Sequence, residues 1–223
     1  MMLCIDNLLS PDELEEIHQI LKDAEFVDGQ LTAGHYAKTV KHNQQLLGNA
    51  HTTQQIRSLI DQSLGRNPLF QMAVRPHRIR PALISRYEPG MAYGFHTDSA
   101  LMGKFDLTRS DVSMAVFLNA PECYEGGALV IDTGLGEQSI KCPAGSAFVY
   151  PSTTLHRVAE VTQGVRLAAV TWVQSIIRDS HERELLFDLD TVRRSLFEQY
   201  GKTLEFDLLS KTHSNLLRKW AVV

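Results

Sequence analysis

From about residue 69 to residue 175 the chain breaks into short β-branched and aromatic runs separated by Gly and Pro turns. The runs are Leu83–Tyr87, Ser113–Leu118, Ala128–Ile131, Ser139–Lys141, Ser146–Tyr150 and Val165–Gln174, with turns at Glu125-Gly126-Gly127 and Pro143-Ala144-Gly145. Parallel strands need a crossover of a dozen or more residues, usually a helix, and no helical stretch separates these runs. Many short strands at this spacing therefore predict an antiparallel sandwich, barrel or jelly roll.

The flanks read differently. Ser10-Pro11-Asp12-Glu13 can cap a helix, place proline in its first turn and close a capping box. Leu14, Ile17, Ile20 and Leu21 follow at helical spacing, and the helix should stop before Val27-Asp28-Gly29. Residues 28–50 are polar and read as an irregular excursion. A second helix is predicted over about 51–65, with Ile56, Leu59, Ile60 and Leu64 as its stripe and Gly65 at its end. Beyond Gln174, residues 178–199 and about 205–220 read as two further helices. The expected division is a domain over 1–177, holding the helices of 10–65 and a β core over about 69–175, then a helical extension over 178–223. That extension either packs on the core or mediates homo-oligomer formation, and its sequence does not choose between them.

Composition narrows the function classes. A formal charge of −4 over 223 residues gives no polyanion-binding signal, so no nucleic-acid partner is expected. No apolar run is long enough to span a bilayer, and the N-terminus lacks a secretory pattern. Cys4, Cys123 and Cys142 have neither CxxC spacing nor an even count. Three reduced thiols in a cytoplasmic protein is the expectation.

The chemistry begins at Tyr87-Glu88-Pro89-Gly90-Met91-Ala92-Tyr93-Gly94-Phe95-His96-Thr97-Asp98. In an extended segment residues i and i+2 share a face, so His96 and Asp98 can grip one metal ion. One such pair is weak evidence. Of the other histidines only His156 lies in the β region beyond the pair, after a strand running into a turn. Two imidazoles and a carboxylate make the facial triad of non-haem Fe(II) oxygenases, although catalytic zinc uses the same ligand types. Arg166, ten residues beyond His156, heads an apolar strand, where a guanidinium is expensive unless paired. Glu160 is a conceivable local partner. The alternative is the far carboxylate of a dicarboxylic co-substrate, which a planar fork holds bidentately.

The constellation His96-x-Asp98, His156 and Arg166 resembles the Fe(II)/2-oxoglutarate-dependent dioxygenases. With its flanks, Glu125-Gly126-Gly127, Tyr150-Pro151-Ser152 and Val161-Thr162-x-Gly164-x-Arg166, it looks like the prolyl/lysyl-hydroxylase branch. Within that branch it is most similar to bacterial PKHD-type hydroxylases, over nearly the whole chain. The resemblance implies a double-stranded β-helix (jelly roll) core. It also implies that His96, Asp98 and His156 bind Fe(II), that Arg166 pairs with 2-oxoglutarate, and that Tyr87 and Tyr93 line the co-substrate pocket. O2 would be consumed, 2-oxoglutarate decarboxylated to succinate, and a C–H bond of a small-molecule or peptidyl substrate hydroxylated. L-ascorbate is implied as a protectant of Fe(II). A nucleic-acid demethylase is disfavoured, because Trp172 stands where that branch resembles an Arg-x5-Arg pattern. A non-catalytic jelly-roll binding module is the alternative, and the intact triad counts against it. The connection 99–111 is a lid candidate. Its Lys104 and Arg109 offer charge to an anionic substrate, although solvated or locally paired roles are expected. Asn43 and Gln44 are further candidates for facing substrate.

Overall fold

The computed structural model describes residues 1–34, 36–47 and 51–222. His35 and the end of the polar excursion at 48–50 lie outside the described residues. The first third of the chain contains β1 (Leu3–Ile5), α1 (Pro11–Lys22), β2 (Phe26–Asp28), β3 (Lys41–His42), β4 (Gln44–Leu46), α2 (His51–Arg66) and α3 (Pro68–Val74). The strand-rich middle runs through β5 (Pro76–Ile79), β6 (Leu83–Tyr87), β7 (Ala92–His96), β8 (Leu101–Met102), β9 (Thr108–Arg109), β10 (Val112–Phe117) and β11 (Tyr124–Gly126). It continues with β12 (Leu129–Thr133), β13 (Gly136–Ile140), β14 (Ala147–Pro151), β15 (His156–Val158), β16 (Val161–Gly164) and β17 (Arg166–Ser175). Two helices, α4 (Ser180–Tyr200) and α5 (Leu204–Trp220), close the chain.

Two antiparallel sheets face one another, as a jelly roll requires. The larger has eight strands in the order β1-β14-β10-β17-β6-β4-β2, with β5 also paired to β17. The smaller has the order β13-β12-β15-β7-β3. β10 is buried along its whole length because both its faces are covered. Met114 and Val116 join the core that α1, α2 and α3 cover with Ile17, Ile56, Ile60, Leu64 and Phe70. Ala115 and Phe117 face the other way, onto Leu129, Ile131 and Tyr150 of the space between the sheets. The same period of two sends Ala169 and Val173 of β17 to the helices and leaves Arg166, Val170 and Trp172 to line the interior cleft.

Several elements differ from the sequence reading. The β texture expected from about 69 begins with a helix, α3, whose start is set by Asn67 accepting from the Phe70 N–H at 2.9 Å and by Pro68 in the first turn. The polar excursion contains two single 3-10 turns and the short strands β3 and β4, which are held by pairing with β7 and β6 far along the chain. The connection 99–111 is a small hairpin of β8 and β9. Packing anchors the C-terminal helices to the core: buried Arg183 donates to the Ile177 carbonyl at 2.7 Å, and the Val222 N–H returns to the Ile176 carbonyl at 2.8 Å. Cys4, Cys123 and Cys142 are all free thiols, and among the described residues no helix is long and apolar enough to cross a membrane.

Glu13 ties the first helix to the second. Its carboxylate accepts from the Ser10 N–H at 2.8 Å while the Ser10 hydroxyl accepts from the Glu13 N–H at 3.2 Å, completing the box. Arg66 of α2 donates to the same carboxylate through both Nη atoms. That guanidinium pulls the Glu13 pKa down to about 2, against which burial pushes upward. A depressed carboxylate stabilises the fold at pH above its unfolded value and loses that contribution as pH falls through the folded one. Glu13→Gln is therefore expected to cost about 1–2 kcal/mol at pH 7. The gap to wild type should close as pH drops from 4.5 toward 2, measured by urea unfolding across that range.

Candidate active site

The site is assembled by pairing across strands. His96 ends β7 and lies opposite His156, which starts β15, with ring centroids 4.3 Å apart. Asp98 follows two residues later, and its Oδ2 lies 3.8 Å from His156 Nε2. One ligand atom from each of His96, Asp98 and His156 falls within 4.8 Å of the others. His96 Nδ1 sits 2.8 Å from the Gly94 carbonyl and His156 Nδ1 sits 3.0 Å from the Thr154 carbonyl. A carbonyl only accepts, so each Nδ1 carries the proton and each Nε2 keeps its lone pair for a metal. Burial, then the neighbouring His156, brings the His96 pKa down to about 4, which keeps the imidazole in its neutral, ligating form. This donor set fits a divalent metal with open positions.

The carboxylate is held too. Ser113 of β10 donates its hydroxyl to Asp98 Oδ2, and its oxygen lies 2.7 Å from the Ser152 hydroxyl. The sequence reading assigned neither serine a role; only their pairing across β10 and β14 brings them together. Partners of this kind orient a metal ligand, so Ser113→Ala is expected to lower metal affinity about 10–100-fold, read by titration against a competing chelator.

Arg166 is 2% exposed and forms no ion pair among the described residues, so Glu160 is not its partner. Its guanidinium lies 5.1 Å from the Tyr87 ring centroid and 5.7 Å from that of Phe117, and its Nε has no hydrogen-bond partner among the described residues. Tyr87 is the residue opposite Arg166 in the β6–β17 pairing. Gly164 makes the approach to β17 possible: its φ is +74°, and a Cβ there would lie 2.2 Å from the Cys123 carbonyl oxygen. Burial raises the Tyr87 pKa, partly offset by Arg166 and by the Asn43 amide facing it, and burial likewise raises Tyr93 and Tyr150. These phenols stay protonated and can donate to an oxyanion.

Tyr93 stacks on His96 with centroids 3.7 Å apart. Residues three apart on a strand normally face opposite ways. A register shift between His156 and Val158 in the pairing with β7 lets both face the cleft. That irregularity has no sequence signature. The cleft has a volume of about 670 Å³, within the roughly 300–1,000 Å³ of small-molecule pockets. Asn43 lines it and Gln44 does not; strand alternation instead turns Gln45 inward. Lys104 lines its mouth, whereas Arg109 is locally paired with Asp111 at 2.6 Å. Lys41, which the sequence reading passed over, is also in the wall.

Comparison with known proteins agrees with this geometry. Residues 82–174 match the 2OG-Fe(II) oxygenase superfamily and residues 180–221 match the PKHD-type hydroxylase C-terminal domain. A PKHD-type hydroxylase from Thermosynechococcus vestitus is 60% identical over 100% of both chains. One from Picosynechococcus is 58% identical over 99% of this chain and 100% of its own. Among solved structures, a Trichoplax adhaerens prolyl hydroxylase bound to a hypoxia inducible factor peptide aligns with a TM-score of 0.55 at 18% identity, covering 82% of this chain and 86% of that one. A Pseudomonas putida prolyl-4-hydroxylase aligns with a TM-score of 0.52 at 20% identity, covering 78% of this chain and 92% of that one, and these two likenesses speak to the fold. By its full-length relatives, its two matched regions and its triad-bearing jelly roll, the chain belongs to the PKHD-type hydroxylase family of 2OG-Fe(II) oxygenases.

Proposed function

We propose that the cleft binds Fe(II) through His96, Asp98 and His156, binds 2-oxoglutarate through Arg166, and hydroxylates a C–H bond of an organic substrate. The overall reaction balances as 2-oxoglutarate, O2 and R–H giving succinate, CO2 and R–OH, with one oxygen atom in each of succinate and the alcohol. The observation that carries this reading is Arg166, a buried guanidinium with no carboxylate partner among the described residues, opening onto the same cleft as the triad. A non-catalytic metal module has no use for that anchor.

The bound metal and 2-oxoglutarate supply the oxidative chemistry with O2. The chain's own residues bind, orient and enclose. Arg166 holds the far carboxylate of the co-substrate and fixes its reach, and Tyr87 donates its phenolic proton to that group. Tyr93 stacks on His96 and fixes the plane of the imidazole. Leu129, Val158, Val170 and Trp172 line the cleft with apolar surface that keeps water from the reacting atoms. The finer parts of the reading rest on the family resemblance and on composition: ascorbate as a reductant for the metal, a cytoplasmic location, and a catalytic domain over 1–177 with 178–223 as an extension. Exposed Leu185, Val192, Phe197 and Leu208 on α4 and α5 support self-association through that extension.

Protein loaded anaerobically with Fe(II) and 2-oxoglutarate, then exposed to O2, is expected to release succinate and CO2 in equal amounts even without substrate. Absence of succinate at confirmed metal occupancy contradicts the proposal.

A further inference from the structure

Apart from Asp98, no carboxylate of the described residues lines the cleft, whereas Lys41, Arg80 and Lys104 all do. The charges of 2-oxoglutarate do not need them, since in the reading above Arg166 takes the far carboxylate and the metal takes the keto acid end. Three cations are therefore left over, and one of them is buried.

Lys41 is 5% exposed on β3, at the edge of the smaller sheet and opposite Tyr93 of β7. Its ammonium donates to the Thr32 hydroxyl oxygen at 3.0 Å and lies 5.2 Å from the Tyr93 ring centroid. The Thr32 hydroxyl passes its own proton to Gln45 Oε1 at 2.6 Å, and Gln45 donates to the Ser85 hydroxyl at 3.3 Å. An ammonium has three donors, and this chain uses one. Lys41 has no ion pair among the described residues. Burying a charge without an ion-paired partner is costly, and the field of Asp28, the Tyr93 ring and one hydroxyl offset only part of that cost, since burial still lowers the Lys41 pKa.

Asn43 stands two residues on and is 3% exposed. Its amide faces the Tyr87 phenol and its oxygen packs against Gly29, and among the described residues neither amide atom reaches a partner at hydrogen-bond geometry. It also lines the cleft that Lys41 lines, so its amide adds polar character to the same wall. Leu31, Leu101, Met102 and Trp172 supply apolar wall in the same cleft.

Resting on the Fe(II)/2-oxoglutarate reading above, we propose that Lys41 anchors an oxyanion, a carboxylate or a phosphate, carried by the hydroxylated substrate, with Asn43 engaging a neighbouring polar group. The substrate class is then an organic anion of metabolite size with an apolar body. Arg80 and Lys104 add attraction for the same charge. Burial brings the Lys41 pKa down to about 8, which leaves the amine mostly charged at neutral pH.

The test uses full-length protein loaded with Zn(II) and saturated with 2-oxoglutarate, with ¹³C-labelled methionine methyls, because Met102 lines the cleft. Acetate and inorganic phosphate are the two probes, titrated separately, and the tighter one identifies the kind of oxyanion. A saturable shift of the Met102 methyl is expected. Its midpoint should rise at least about tenfold in Lys41→Met and at least about threefold in Asn43→Ala, the scale of a lost charge-assisted and a lost neutral hydrogen bond. The 2-oxoglutarate affinity of Lys41→Met should stay within about twofold of wild type, the effect of a hydrogen bond being larger than that. Lys41→Met should melt at or above the wild-type temperature, since it removes an unpaired buried charge.

No saturable shift in the wild type, or midpoints unchanged in both variants, overturns the proposal. A parallel loss of 2-oxoglutarate affinity in Lys41→Met also overturns it, by assigning the lysine to the co-substrate. Failure of the wild type to bind 2-oxoglutarate is read before any anion is added; it overturns the underlying function, and the anchor with it.

Discussion

Arg166→Leu is expected to raise the dissociation constant for 2-oxoglutarate by about 30-fold or more, while the ligand-free protein melts no lower than wild type. The two signs have one origin. Without co-substrate, Arg166 is a guanidinium held at 2% exposure beside the Tyr87 and Phe117 rings with no carboxylate partner among the described residues. An apolar side chain of similar reach removes that desolvation cost. With co-substrate, the same substitution strands a buried carboxylate, and truncating one partner of such a pair costs about 2–5 kcal/mol. That range corresponds to roughly 30- to 4,000-fold in affinity. Calorimetry on Zn(II)-loaded protein gives the affinity and a thermal scan gives the second sign. Metal affinity should barely change, because the anchor lies on β17 and the triad on β7, β15 and the segment after β7. A structural arginine would behave oppositely, with a lower melting temperature and unchanged 2-oxoglutarate binding.

Asp98→Ala is expected to abolish stable metal binding and reduce succinate release to background. The carboxylate is the only anionic ligand in a set otherwise made of two neutral imidazoles. Its loss also leaves the Ser113 hydroxyl, now paired to Ser152 alone, facing an empty corner. If removing the outer partner Ser113 costs about 10–100-fold, removing the ligand it orients must cost more. Bound metal after desalting, measured by atomic absorption, is the readout. A variant that keeps stoichiometric Fe(II) and turns over would show that the ligands lie elsewhere.

The order in which the site became visible follows from which interactions are local. The His96-x-Asp98 spacing is a consequence of strand period alone, and Arg166 stood out because a guanidinium at the head of Leu167-Ala168-Ala169-Val170 needs a reason. The run Leu83–Tyr87 matched β6 in full, because its ends are marked by the flanking Pro81-Ala82 and Glu88-Pro89-Gly90. The first helix matched because Ser10-Pro11-Asp12-Glu13 carries its capping box in four adjacent residues. What stayed hidden depends on partners far along the chain. β3 and β4 are two and three residues long; β3 is held by β7, and β4 lies between β2 and β6. Lys41 rides on β3 and Asn43 joins β3 to β4, so their arrival in the cleft could not be read from a polar stretch. The cleft-facing turn of Tyr93 needed the register shift against β15, and the Ser113–Ser152 relay needed the pairing of β10 with β14. The α3 helix was legible in principle, from Asn67-Pro68, but its apolar run Leu69-Phe70 reads equally well as a strand start.

The most direct test of the central claim is a crystal structure of the protein grown anaerobically with Fe(II) and 2-oxoglutarate, with anomalous data collected at the iron edge. The expected result is one iron bonded to His96 Nε2, His156 Nε2 and the Asp98 carboxylate, and one 2-oxoglutarate chelating it with its far carboxylate on the Arg166 guanidinium. Iron bound away from this triad, or 2-oxoglutarate bound with no contact to Arg166, would contradict it.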